Sequence, residues 1–194
     1  VAQSLPLTLD GGVGGILLEF TADATVGCKL NKLQNRTGTN FDFETKRGDG
    51  HLWELTVVDR DGVESVVQPT VDNTLTIWDV SSAYPAEDHA SMLVWDNVSL
   101  NPGGQRSDVV QVTMLVRMID GEKLSRWRTW VTRKSGSRYA VDVIRSPLVW
   151  LKNPAAVVGG ENNLDASRRT RVITPQNLLA KPMPGGGTNV PMYL

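Results

Sequence analysis

Between residues 108 and 132 the chain writes one alternating polar and apolar pattern, breaks it at Asp120-Gly121, and writes a second one that contains Trp127 and Trp130. No other feature constrains the fold as strongly. A period of two sends successive side chains to opposite faces, so each half is a strand with one buried face and the pair is a long antiparallel hairpin. Phase then separates the two indoles. Trp127 falls on the buried face, whereas Trp130 shares the less apolar face with Arg126 and Arg128. On that face a guanidinium over the ring, or a ligand stacked on it, becomes available.

The same periodicity recurs at residues 52–58, where Trp53, Leu55 and Val57 alternate with Glu54 and Thr56, and Asp61-Gly62 turns the chain into a partner strand at 63–68. Shorter strands are expected at 16–20, 29–34, 41–44, 74–79, 92–96, 139–144, 148–151, 171–174 and 177–180, with loops at 81–91 and 100–107. Pro147 suits a strand start or an edge, because proline cannot donate to a ladder. No segment keeps a helical period over three turns, and no internal repeat is found. Roughly ten to twelve short strands separated by turn residues is the pattern of a sandwich or barrel. The expectation is all-β: one large antiparallel β-sandwich over residues 16–180 with extended arms at both ends. Residues 1–15 read as a flexible or docking arm because of Pro6 and the Gly11-Gly12-Val13-Gly14-Gly15 run, and residues 181–194 read as a Pro/Gly-rich extended tail.

Composition bounds the class without naming a partner. Apolar residues at 40% can fill a core, and 21% charged residues is too few for a disordered chain. The 20 basic and 21 acidic side chains leave a net charge of -1, so there is no nucleic-acid signal and no field drawing in an anionic membrane. Arg168, Arg169 and Arg171 form one local excess, read as a solvated turn. No apolar run is long enough for a membrane-spanning helix. Cys28 is the only cysteine, which excludes an internal disulfide and a thiolate zinc site, and it reads as a small core residue. Val1 in place of an initiator Met suits a processed chain or a segment of a longer one. Asn35-Arg36-Thr37 and Asn97-Val98-Ser99 fit the N-glycosylation acceptor pattern, relevant only along a eukaryotic secretory route. An extracellular or virion-associated location is favoured over a cytoplasmic one.

No catalytic constellation emerges. Asp59 and Asp61 flank a hairpin turn, where aspartate serves local hydrogen bonds. Glu87, Asp88 and His89 are adjacent in a polar loop, but a metal or acid-base site needs a further group from elsewhere. Asp72, Asn73 and Asp79 do not have the calcium-loop spacing. The glycine run lacks the Lys-Ser/Thr of a phosphate loop, and no Gly-x-Ser-x-Gly elbow is present. No cofactor is implied. Of the six tryptophans, Trp53, Trp127 and Trp150 are expected in the core. Trp78 and Trp95, each followed by Asp near a strand end, join Trp130, Arg126 and Arg128 as candidates for a ligand or packing surface.

A series of landmarks runs along the chain: Lys29-Leu30-Asn31-Lys32-Leu33, Leu52-Trp53-Glu54-Leu55, Met92-Leu93-Val94-Trp95, Val110-Gln111-Val112-Thr113-Met114, Ser125-Arg126-Trp127-Arg128, Ser146-Pro147, and Val172-Ile173-Thr174-Pro175 with Asn177-Leu178-Leu179. In this order they resemble the N-terminal β-supersandwich, similar to the galactose-mutarotase fold, of a group of poorly characterised glycoside hydrolases. The resemblance implies a non-catalytic sandwich in a carbohydrate-active context, packed on a following catalytic barrel that carries the carboxylates. It assigns no catalytic residue to any position here. A second expectation, of another class, is a self-assembling structural subunit of a virion, filament or other extracellular structure, joined to copies of itself through terminal arms and edge strands. An autonomous carbohydrate-binding module ranks third.

Overall fold

The computed structural model describes residues 1–36, 41–44, 50–101, 108–133 and 138–148, with Asn35 and residues 41–44 described by backbone alone. The fold is all-β and sandwich-like. Its strands are β1 (Ala2–Gln3), β2 (Leu7–Asp10), β3 (Ile16–Asp23), β4 (Gly27–Asn35), β5 (Phe41–Glu44), β6 (Glu54–Val58), β7 (Glu64–Val67), β8 (Thr74–Asp79), β9 (His89–Ser99), β10 (Val109–Met118), β11 (Ser125–Arg133) and β12 (Ala140–Arg145). They form a five-stranded sheet in the order β1-β8-β9-β10-β11, a four-stranded sheet β2-β3-β4-β5 and a three-stranded sheet β12-β6-β7, with every pairing antiparallel. Trp150, Arg168, Arg169, Arg171, the strands expected at 171–174 and 177–180, and the tail at 181–194 lie outside the described residues.

The hairpin that dominates the sequence is β10–β11, in unbroken register from Val110↔Arg133 to Met118↔Ser125. Its inward face supplies Val110, Val112, Met114, Val116 and Met118, all buried. These residues join Leu93, Trp95 and Val98 of β9, Leu18 and Phe20 of β3, Leu30 and Leu33 of β4, and Leu55 and Val57 of β6 in one cluster fed by all three sheets. Two aromatic contacts tie it together. Trp53, just before β6, meets Trp95 edge-on at 5.9 Å, and Phe20 lies 5.8 Å from Trp127. Trp53 therefore sits in the core as its period required, while Trp127 is half-buried and packs against the core's margin. Cys28 is fully buried, and burial pushes its thiol up to about 12.

The first fifteen residues are a correction. They form no free arm, because β1 pairs with β8 and β2 pairs with β3, with Leu7 and Leu9 both buried. The glycine run is the tight β2–β3 turn. A Cβ on Gly15 would lie 2.3 Å from the Gly11 carbonyl oxygen, and Gly14 takes a φ of +88°. This turn is docked on the β10–β11 turn, where the Gly121 N–H donates to the Gly11 carbonyl at 2.8 Å. Glycine is there for close approach, not for slack.

A bulge in β9 explains one unusual residue. Val110 pairs with Val98 but Val112 with Trp95, so Asp96 and Asn97 together oppose Gln111, and Asn97 takes a φ of 58°. Asparagine tolerates this conformation better than most side chains. Asn97→Gly is expected to be neutral within about 0.5 kcal/mol, whereas Asn97→Val should cost about 1–3 kcal/mol, both read from urea unfolding midpoints.

Candidate functional site

The outward face of the five-stranded sheet gathers most of the side chains picked out as a contact surface. Straight across the strands, Trp78 pairs with Met92, Met92 with Leu115, and Leu115 with Arg128. The neighbouring row runs Thr76, Val94, Thr113, Trp130. Because strands lie about 4.8 Å apart and alternate residues about 7 Å, the two indoles are separated by roughly 16 Å. Trp78 is 41% exposed and Trp130 half-buried. Arg128 stands over the Trp130 ring at 5.7 Å, the cation–ring arrangement that their shared phase allows.

One end of this face is walled by residues 80–88, which include a 3-10 turn at Ser81–Ala83. Glu87 forms ion pairs with Arg117 and with Arg126, each at 3.4 Å, and Arg126 also meets Glu122 at 3.2 Å. The Tyr84 ring lies under the Arg117 guanidinium at 5.3 Å. Arg126 is thus held in a charge network at the margin, not offered free to a ligand. Glu87 turns to these arginines, whereas Asp88 and His89 both meet Asp120: Asp88 accepts the Asp120 N–H at 2.8 Å, and the His89 ring meets the Asp120 carboxylate at 2.9 Å. Among the described residues, no group of three His, Cys, Asp or Glu side chains is placed to hold a metal ion.

Trp95 is removed from the surface set. It lies on the inner face of β9 and is completely buried. The strand does not end at Asp96 but runs on to Ser99, so Trp95 is in the interior of a central strand and Asp96 turns outward to accept from Gln111 at 2.8 Å. Among the described residues, the buried Nε1 atoms of Trp53 and Trp95 have no hydrogen-bond partner, an unusual cost in a core. Asn97 is exposed on its bulge, and its carbonyl accepts from Asn73 at 3.3 Å. Asn35 ends β4, but Thr37 of its acceptor pattern lies outside the described residues. Asp59 closes the β6–β7 turn by accepting from the N–H groups of Asp61 and Val63 at 2.9 and 2.8 Å, a local structural role.

The side of the sandwich beyond β11 escaped sequence reasoning. β11 pairs with β10 along one edge, and among the described residues no strand pairs with its other edge. β12 is likewise the outermost strand of its own sheet. The two edges lie together, since the Thr129 and Ser146 hydroxyls meet at 2.7 Å and Arg133 donates to the Tyr139 carbonyl at 3.2 Å. Among the described residues both layers therefore end on the same side, where β12 exposes Val143 and Ile144 to 37% and 40%. Pairing order is a long-range property, and local periodicity cannot reveal which strand is left last.

Three carboxylates make the fold pH-sensitive. The hydrogen bond from Lys29, with backbone N–H groups of Thr25 and Val26, holds Asp23 below the usual carboxylate range. Burial raises Glu54, but hydrogen bonds from Gln68 and Arg145 and the charges of Arg145 and His51 outweigh it and leave the group lowered. Asp79 is lowered by the Ser81 backbone and side chain. Each group binds a proton more readily when unfolded, so its contribution is complete above the ordinary carboxylate range and is lost as pH falls through the lower folded value. Melting temperature is expected to fall steadily below about pH 4.5, with a shallower slope for Asp23→Asn. A melting temperature unchanged down to pH 3 would contradict these assignments.

Among the described residues, no helix is long and apolar enough to cross a membrane. No family model, curated protein or solved structure matches this chain.

Proposed function

We propose that this chain is a non-catalytic structural subunit that assembles with copies of itself into a virion, filament or other extracellular structure. The observation that carries the reading is one side of the sandwich where, among the described residues, a nine-residue strand, β11, is the last of its sheet beside the exposed edge of β12. Unpaired N–H and C=O groups along an edge are a template for another strand, and folded proteins usually blunt such edges with short strands, proline or bulges. β11 is nine residues long with no proline and no bulge, and the charges of Arg126, Arg128 and Arg133 are the one such guard it carries. By contrast, the edge strands β1, β2 and β7 have two, four and four residues. The folded-in β1 and β2 move the basis of assembly from an N-terminal arm to this edge.

Light scattering after size-exclusion chromatography of the full chain tests the reading. A mass that rises with concentration above the 21.2 kDa of one chain is expected, and a constant single-chain mass at all concentrations would sink it.

A second reading is favoured by Trp78, which stands exposed on the same sheet face as Trp130. Two indoles on one face can stack against the C–H faces of sugar rings. This suits a non-catalytic sandwich domain beside a glycoside hydrolase-like barrel, or a free-standing carbohydrate-binding module. Oligosaccharide binding by calorimetry that is lost in Trp78→Ala would support it, and binding unchanged in Trp78→Ala and Trp130→Ala would end it.

A further inference from the structure

We propose that the assembly unit is a two-fold dimer in which β11 pairs antiparallel with β11 of a second copy, centred on Thr129, to make one continuous ten-stranded sheet. This inference rests on the self-assembly reading and adds its partner surface, orientation and register. Antiparallel pairing of a strand with itself closes on a two-fold axis, so one edge is consumed and the sheet stops growing there.

Register follows from charge and from the two faces of the strand. Pairing must match like parity, or the core-facing side chains would be turned outward. With Thr129 on the axis, Ser125 faces Arg133, Arg126 faces Thr132, Trp127 faces Val131, and Arg128 faces Trp130, each twice. No arginine opposes an arginine. The Arg128–Trp130 contact already seen within the strand at 5.7 Å is then repeated across the axis in both directions. Shifting the axis to Arg128 sets that guanidinium against its own copy, and shifting it to Trp127 sets Arg126 against Arg128. An axis at Trp130 opposes no two arginines but gives up both Arg128–Trp130 pairs and sets Trp127 against Arg133. The Thr129 register alone among these keeps the reciprocal cation–ring pairs with no two arginines directly opposed.

The second layer fits the same arrangement. The Thr129–Ser146 contact fixes the end of β12 beside β11, so two copies joined at β11 bring their β12 edges toward the axis. There Val143 and Ile144 offer apolar surface that water would otherwise cover.

The test is cysteine cross-linking in the full chain. Cys28 is completely buried with its thiol raised to about 12, so it stays silent under mild oxidation. Thr129→Cys places two thiols directly opposite each other across the axis, whereas Thr132→Cys places them about 20 Å apart along the paired strands. A disulfide-linked dimer is expected as the main product for Thr129→Cys and at least tenfold less for Thr132→Cys. Light scattering on the unmodified chain and amide exchange over 125–133 guard against a variant that does not fold. If the unmodified chain associates but β11 gains no protection, or Thr132→Cys links as well as Thr129→Cys, the register is overturned while self-assembly stands. If the unmodified chain never associates, both fail.

Discussion

Trp95→Ala is expected to lower the free energy of unfolding by about 3–5 kcal/mol, while Trp78→Ala should change it by no more than about 1 kcal/mol. The two residues look alike in the sequence, each followed by aspartate inside a short apolar run. Their environments are opposite. Trp95 is the inward side chain of a central strand, closed off by Trp53 at 5.9 Å and fully buried, so truncation leaves a cavity that the three surrounding sheets cannot close. Trp78 stands on the outer face of β8, whose far neighbour is the two-residue β1. Trp95→Phe should cost less than the alanine variant, because it keeps an aromatic ring in the site and removes a buried N–H that has no acceptor among the described residues. Urea titrations followed by circular dichroism separate the three. Similar midpoints for Trp95→Ala and Trp78→Ala would contradict the packing described for β9.

The N-terminal segment gives the second large effect. Leu7→Ala and Leu9→Ala are each expected to cost about 2–5 kcal/mol, the range for a buried leucine, with no effect from Val13→Ala, since Val13 is 92% exposed at the turn. Gly15→Ala should also destabilise strongly, because its Cβ would fall 2.3 Å from a backbone oxygen. Backbone must move to relieve that contact, and the turn is held in place by the Gly121-to-Gly11 hydrogen bond. An arm that only docked on another molecule would tolerate all of these changes in isolation. Thermal melts of the leucine and glycine variants at one concentration settle the matter, and melting temperatures equal to the parent's would restore the arm.

Sequence periodicity located strands where alternation ran long enough. Alternation gives β8 to the residue, and it gives the β10–β11 hairpin to within one at each outer end because Val110 to Met114 and Arg126 to Trp130 repeat a two-residue period against clear turn residues. β2 is not legible, because Leu7 and Leu9 alternate over only four residues beside Pro6 and a glycine run that also suits a linker. The same short-window limit cut β9 at Asp96, where outward asparagine and aspartate mark a bulge and not an end.

The surface set was legible in its local part. The phase of Arg126, Arg128 and Trp130 follows from neighbouring positions on one strand. What could not be read was long-range: Glu87 reaching Arg117 and Arg126, β1 closing on β8, and β12 joining β6 instead of β11. That last choice leaves β11 at the end of its sheet among the described residues, and no residue within β11 encodes it.

Hydrogen–deuterium exchange on the full chain at low and high concentration tests the central claim most directly. Edge pairing predicts slower exchange at high concentration over 125–133, a smaller change over 140–145, and none at Ala2 and Gln3. Exchange that is independent of concentration over β11, or protection confined to the first ten residues, would contradict it.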